Sequence, residues 1–211
     1  MRTISFVTAS ILSLSSTAFS HDLERKKKPQ TKSPKQQETL SIGSDEHFGW
    51  LSTPVPVPNI TIRTVNADGK RLREALMGKT TAIHLMYTSC KSSCPIQGRV
   101  FSKLAPQLNE KQQLISLSVD VANDQKSSLK AWREQYPPTP RWIATVPQTE
   151  TDLADVMNAL GVDISQDEPH MNQVYFIDSD GRLVFKTGDF PTQKTLQMVF
   201  TQVSAKSSTT P

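Results

Sequence analysis

A chain of 211 residues with 36% apolar and 21% charged side chains can bury one real core. Nothing in it forces a metal or disulfide staple for folding, and the length leaves room for one domain plus flanking segments. The net charge of +4 is uneven: residues 1–48 hold seven of the 24 Lys/Arg and five of the 20 Asp/Glu, leaving 17 against 15. So weak a field gives the domain no nucleic-acid signature.

Residues 1–20 run from Met1-Arg2-Thr3 through an apolar-leaning stretch to a small-residue end. This is the pattern of a secretory signal peptide, cleaved near residue 20. The stretch is short and serine-rich, so no stable membrane span is expected in the mature chain. Residues 21–52 read as a basic, polar, flexible tether, too poor in apolar side chains to order itself. Its Arg25-Lys26-Lys27-Lys28 run reads as solvated. Residues 48–58, with Pro54, Pro56 and Pro58, read as an extended arm. A domain follows over 53–204, and residues 205–211 read as a disordered tail.

Within the domain, residues 60–65 alternate apolar and polar as a strand, and Asp68-Gly69 makes a turn. Residues 71–77 predict a short helical turn. Residues 81–87 predict a central strand, apolar on both faces around His84. Over 94–108, Ile96, Val100, Leu104 and Leu108 recur every four residues along a helix whose first turn contains Pro95. A strand over 113–119, a helix over 125–136 ended by Pro137-Pro138, and a strand over 141–146 come next. A helix over 149–160 ends at Gly161. A hairpin joins 174–177 to 183–186 around Asp178 and Gly181, and a last helix spans 192–203. The order βαβαβ, helix, ββα predicts an α/β fold of three layers, with a mixed central sheet and an N-terminal extension: the thioredoxin-like arrangement.

The chain has two cysteines, in Cys90-Lys-Ser-Ser-Cys94-Pro95, where a central strand ends and a helix begins. A bridge across so short a loop adds little to stability, so the pair is better explained by chemistry than by stapling. Free N–H groups and the positive end of the helix favour thiolate, the form that attacks disulfides and ligates soft metals. Two residues between cysteines mark thioredoxin-type reductants; here there are three. Residues four apart share a helix face, so both sulfurs can meet one Cu(I) ion and leave room for a third ligand. Among the histidines, His84 reads as a satisfied core residue, while His21 and His47 lie in or near the tether. His170 precedes the hairpin, in a loop that this fold places beside the cysteines, and is the candidate third ligand. The methionines Met77, Met86, Met157 and Met171 read as packing rather than thioether ligands.

These residues carry a resemblance. Gly78-Lys79, Tyr87-Thr-Ser-Cys90-Lys-Ser-Ser-Cys94-Pro95, Ser118-Val-Asp120-Val-Ala-Asn-Asp124, and His170 followed by Val174-Tyr-Phe-Ile-Asp178 resemble the SCO/SenC family of copper proteins. The likeness covers roughly residues 55–203. It implies a thioredoxin-like fold, a copper ion held by Cys90, Cys94 and His170, and delivery of copper to the CuA site of a cytochrome oxidase or upkeep of that site's thiols. The partner is then an oxidase subunit or another copper or thiol protein, met in the periplasm. Asp120 and Asp124 match the family's acidic stretch and read as a loop cap and a solvated carboxylate. Two other readings stay open. One is a periplasmic thiol–disulfide oxidoreductase, in which Cys90 attacks and Cys94 resolves. The other is a sensor whose docking changes with the state of the pair.

Overall fold

The computed structural model describes residues 48–162 and 172–207. It is an eight-stranded mixed sheet in the order β1-β8-β7-β4-β5-β6-β2-β3. The strands are β1 Gly49–Pro56, β2 Thr61–Thr64, β3 Lys70–Arg71, β4 Thr80–Met86, β5 Gln112–Ser118, β6 Trp142–Pro147, β7 Val174–Ile177 and β8 Arg182–Lys186. The helices are α1 Leu72–Leu76, α2 Ser93–Leu104, α3 Lys126–Arg133, α4 Glu150–Leu160 and α5 Gln193–Ser207. The expected thioredoxin-like α/β arrangement is what the chain adopts. The arm over 48–58 does more than lead in: Gly49–Pro56 pairs antiparallel with β8 as an edge strand.

Strands β4, β5 and β6 are parallel, and the crossovers through α2 and α3 join them. Successive crossovers of one hand in one direction put both helices on the same face. Ring contacts confirm it. His84 of β4 meets Phe101 of α2 at 4.6 Å, and Trp132 of α3 meets Trp142 of β6 at 5.6 Å. Ala82 shares the His84 face of β4 and pairs with Phe176, whose ring meets Phe200 at 5.0 Å, so α5 packs there too. Every residue of β4 is buried, as a strand covered on both faces requires.

Helix α2 ends earlier than apolar spacing predicts. Pro106 lacks the N–H an α-helix would use, and Ala105–Gln107 tightens into a 3-10 turn. Helix α4 has Thr149 at its start, accepting the Asp152 N–H at 3.0 Å, and ends on Gly161 with φ 65°. Strand β7 runs antiparallel to β4, with Val174 opposite His84, so the chain enters β7 toward the end of β4 that leads to the cysteines. Among the described residues no helix is long and apolar enough to cross a membrane.

Candidate thiol and metal site

The site forms where β4 stops. Backbone pairing with β5 ends at Met86, and the chain turns through Tyr87, Thr88 and Ser89, with the Cys90 N–H donating to Tyr87 O at 3.1 Å. Helix α2 then starts at Ser93 without any side-chain cap from Ser92. Its first-turn N–H groups need acceptors. The Cys90 sulfur provides one: the Cys94 N–H donates to Sγ of Cys90 at 3.4 Å. Pro95, in the same turn, has no N–H to satisfy.

Both cysteines are free thiols and buried, Cys90 6% and Cys94 4% exposed. Their acidities diverge. Burial alone would raise the Cys90 thiol, but hydrogen bonds from the Cys94 thiol and N–H, and from the Ser92 N–H and hydroxyl, outweigh it and bring the pKa down to about 7. Burial, followed by the hydrogen bond given to Cys90, pushes Cys94 up to about 12. The lowering at Cys90 comes from oriented donors, and Lys91 lies exposed. One sulfur is thus a ready thiolate near neutral pH, and the other is its proton-bearing neighbour.

Tyr87 is a member that sequence reading left unassigned. Its phenol is raised by the Cys90 charge first and then by the hydrogen bond it makes with that sulfur. An aromatic hydroxyl three residues before the first cysteine was the available signal. Tyr136 is another. Its hydroxyl lies against Gly98, one turn after Cys94, where any Cβ would collide with it. The ring sits between Trp132 at 5.2 Å and Trp142 at 5.0 Å.

Asp120 and Asp124 take different roles. Asp120 caps its loop, accepting the Asn123 N–H at 3.1 Å, as expected. Asp124 corrects the expectation of a solvated carboxylate: it is 2% exposed. It accepts the Thr88 N–H at 2.9 Å, the Thr88 hydroxyl and the Ser118 hydroxyl at 2.5 Å. The ends of β4 and β5 converge on one carboxylate, which no local pattern reveals.

His84 is the satisfied core histidine expected. Trp142 donates its indole N–H to Ser116 Oγ at 2.8 Å, and the same oxygen shares a hydrogen bond with His84 Nε2 at 2.6 Å. Burial pushes its pKa down to about 3. Met86 and Met157 are buried in the core as expected, whereas Met77 is 46% exposed. His21, His47, His170 and Met171 lie outside the described residues. The structure therefore brings Cys90 and Cys94 together. Among the described residues no group of three or more His, Cys, Asp or Glu side chains is placed to hold a metal.

A family model for SCO1/SenC matches residues 61–204. The chain belongs to the SCO1/SenC family. Solved structures agree in fold. A SCO1/SenC family lipoprotein from Bacillus anthracis is 22% identical, with a TM-score of 0.59 over 73% of this chain and 99% of that one. Bradyrhizobium japonicum ScoI with copper bound is 20% identical, with a TM-score of 0.53 over 70% and 99%. Yeast Sco1 with copper bound is 16% identical, with a TM-score of 0.57 over 76% and 97%. Comparison with curated protein sequences gives no match.

Proposed function

We propose that this SCO1/SenC protein is an exported, periplasmic copper carrier that holds Cu(I) between Cys90, Cys94 and His170. It passes the ion to the CuA site of a cytochrome oxidase, or keeps that site's thiols reduced. The observation that carries the reading is the Cys90–Cys94 contact. Two soft sulfur donors share one helix start, and one of them is already near thiolate at neutral pH. Copper-bound structures of two relatives support it. So does the donor chemistry: thiolate pairs suit a soft ion, and an imidazole completes a low-coordinate set. Transfer then proceeds by ligand exchange with the thiolates of the receiving protein, and copper is cargo rather than a resident catalyst. Export is supported by the leader pattern over residues 1–20.

The test is a titration of the reduced full chain with Cu(I) against a competing chelator. One equivalent bound by the wild type, and binding weakened in Cys90→Ala, Cys94→Ala and His170→Ala, is the expected result. Unchanged binding in His170→Ala would remove the three-ligand set.

The split acidities favour a second reading, thiol–disulfide exchange. The Cys90 thiolate attacks one sulfur of a partner disulfide, forming a mixed disulfide and releasing the partner's other thiolate. Cys94 then passes its proton to the released partner thiolate and attacks the Cys90 sulfur, which breaks the mixed disulfide, frees the partner in its reduced form and leaves this chain oxidised. Mixed disulfides trapped in Cys94→Ala would support this reading, and their absence across candidate partners would count against it.

A further inference from the structure

We propose that Asp124 is a positioning residue for Cys90, acting through Thr88. The inference rests on Cys90 being the reacting sulfur. It stands apart from whether the cargo is copper. The carboxylate is buried and has no ion pair among the described residues. A buried charge is expensive unless well supplied with donors, so a neutral side chain would serve better for packing alone. Asp124 is supplied by three, and two belong to one residue: its two oxygens separately take the Thr88 N–H and the Thr88 hydroxyl. That double hook fixes both the peptide plane and the side chain of Thr88. The third donor, Ser118, ties the same carboxylate to the last residue of β5.

The geometry continues to the sulfur. Thr88 lies in the turn closed by the Cys90 N–H to Tyr87 O bond, and that turn delivers Cys90 Sγ beneath the Cys94 N–H. The reactive sulfur is thus registered against the central sheet by a carboxylate that never touches it. Without the hook, Thr88 is free to turn and the sulfur loses its place at the helix start. Outer groups that orient a ligand are worth about 10–100-fold in metal affinity.

The test compares Thr88→Val, Thr88→Ser, Asp124→Asn and Asp178→Ala in the full chain. The last is a destabilised variant of the distant hairpin. Read-outs are the iodoacetamide rate at Cys90, located by mass spectrometry, the affinity for Cu(I) against a chelator, and thermal unfolding. Thr88→Val and Asp124→Asn are expected to slow alkylation about tenfold and weaken Cu(I) binding within the range above. Thr88→Ser, which keeps both hooks, retains the wild-type rate, and Asp178→Ala lowers stability alone. A wild-type rate in folded Thr88→Val overturns the proposal, as does an equal slowing in Asp178→Ala. If the wild type takes up no Cu(I) but the alkylation pattern holds, the copper reading fails and the positioning role stands.

Discussion

The sulfur of Cys90 accepts the backbone N–H of Cys94 across 3.4 Å, so the thiol four residues upstream acts as the cap of the helix that carries its partner. Capping by a thiolate couples the start of α2 to the protonation of one residue.

The first prediction follows from that coupling. Alkylation of Cys90 should rise with pH to a half-maximum near pH 7, while Cys94 stays unreactive throughout the neutral range. In Cys94→Ala the thiol donor is gone and the backbone donor remains, so the Cys90 midpoint should move up. A midpoint that stays put would show that the Cys94 thiol contributes nothing to the acidity. Iodoacetamide rates against pH give both numbers.

Acid should weaken the fold through His84. Its folded pKa, about 3, lies below the ordinary 6.5, so between these values the unfolded chain binds a proton that the folded chain refuses. Stability is fully present above pH 6.5 and falls as pH drops toward 3, by on the order of 4 kcal/mol from this residue. His84→Gln should flatten that slope relative to the wild type in urea melts at pH 7 and pH 4. Parallel slopes would exclude the imidazole as the cause.

Gly98→Ala should destabilise the protein by about 1–3 kcal/mol, because the new methyl meets the Tyr136 hydroxyl, whose ring packs against Trp132 and Trp142. Tyr136→Phe removes the nearest colliding atom, the oxygen, and leaves the ring carbon Cζ 2.6 Å from the new methyl. The double variant should therefore cost less than the sum of the singles, as a thermal double-mutant cycle would read.

Asp178→Ala should cost roughly 2–4 kcal/mol. The carboxylate is buried at the hairpin and accepts the Asp180 N–H at 3.0 Å, the Arg182 N–H at 2.9 Å and Arg182 Nε at 2.9 Å. Urea midpoints would measure the loss, and a change below 0.5 kcal/mol, about that of a surface substitution, would contradict this account.

What was legible in the sequence was what local pattern controls. The continuous apolar run of β4 and the Thr149 and Gly161 signals at the ends of α4 translate directly into elements, whereas the four-residue spacing along α2 marks the helix but not its packed face: Ile96 is 53% exposed, and Gln97, Phe101 and Leu104 are the residues buried. Proline hid the pairing of Gly49–Pro56. Pro54, Pro56 and Pro58 suggest an extended arm, and pairing on one side only tolerates a missing N–H. Asp124 is hidden from local pattern for a different reason. Its partners Thr88 and Ser118 lie 36 and six residues away, and only the parallel pairing of β4 with β5 aims them at one point. The cysteine pair was visible because its chemistry needs only a strand end and a helix start.

The outermost strand carries one more consequence. Open strand edges invite other chains to zip alongside, the first step toward fibrils. Along Gly49–Pro56, positions 54 and 56 offer no amide hydrogen, and a register shift between Trp50 and Val55 breaks the ladder. The opposite margin, Lys70–Arg71, is two residues long and cationic. Both margins of the described sheet thus carry features that resist self-templating.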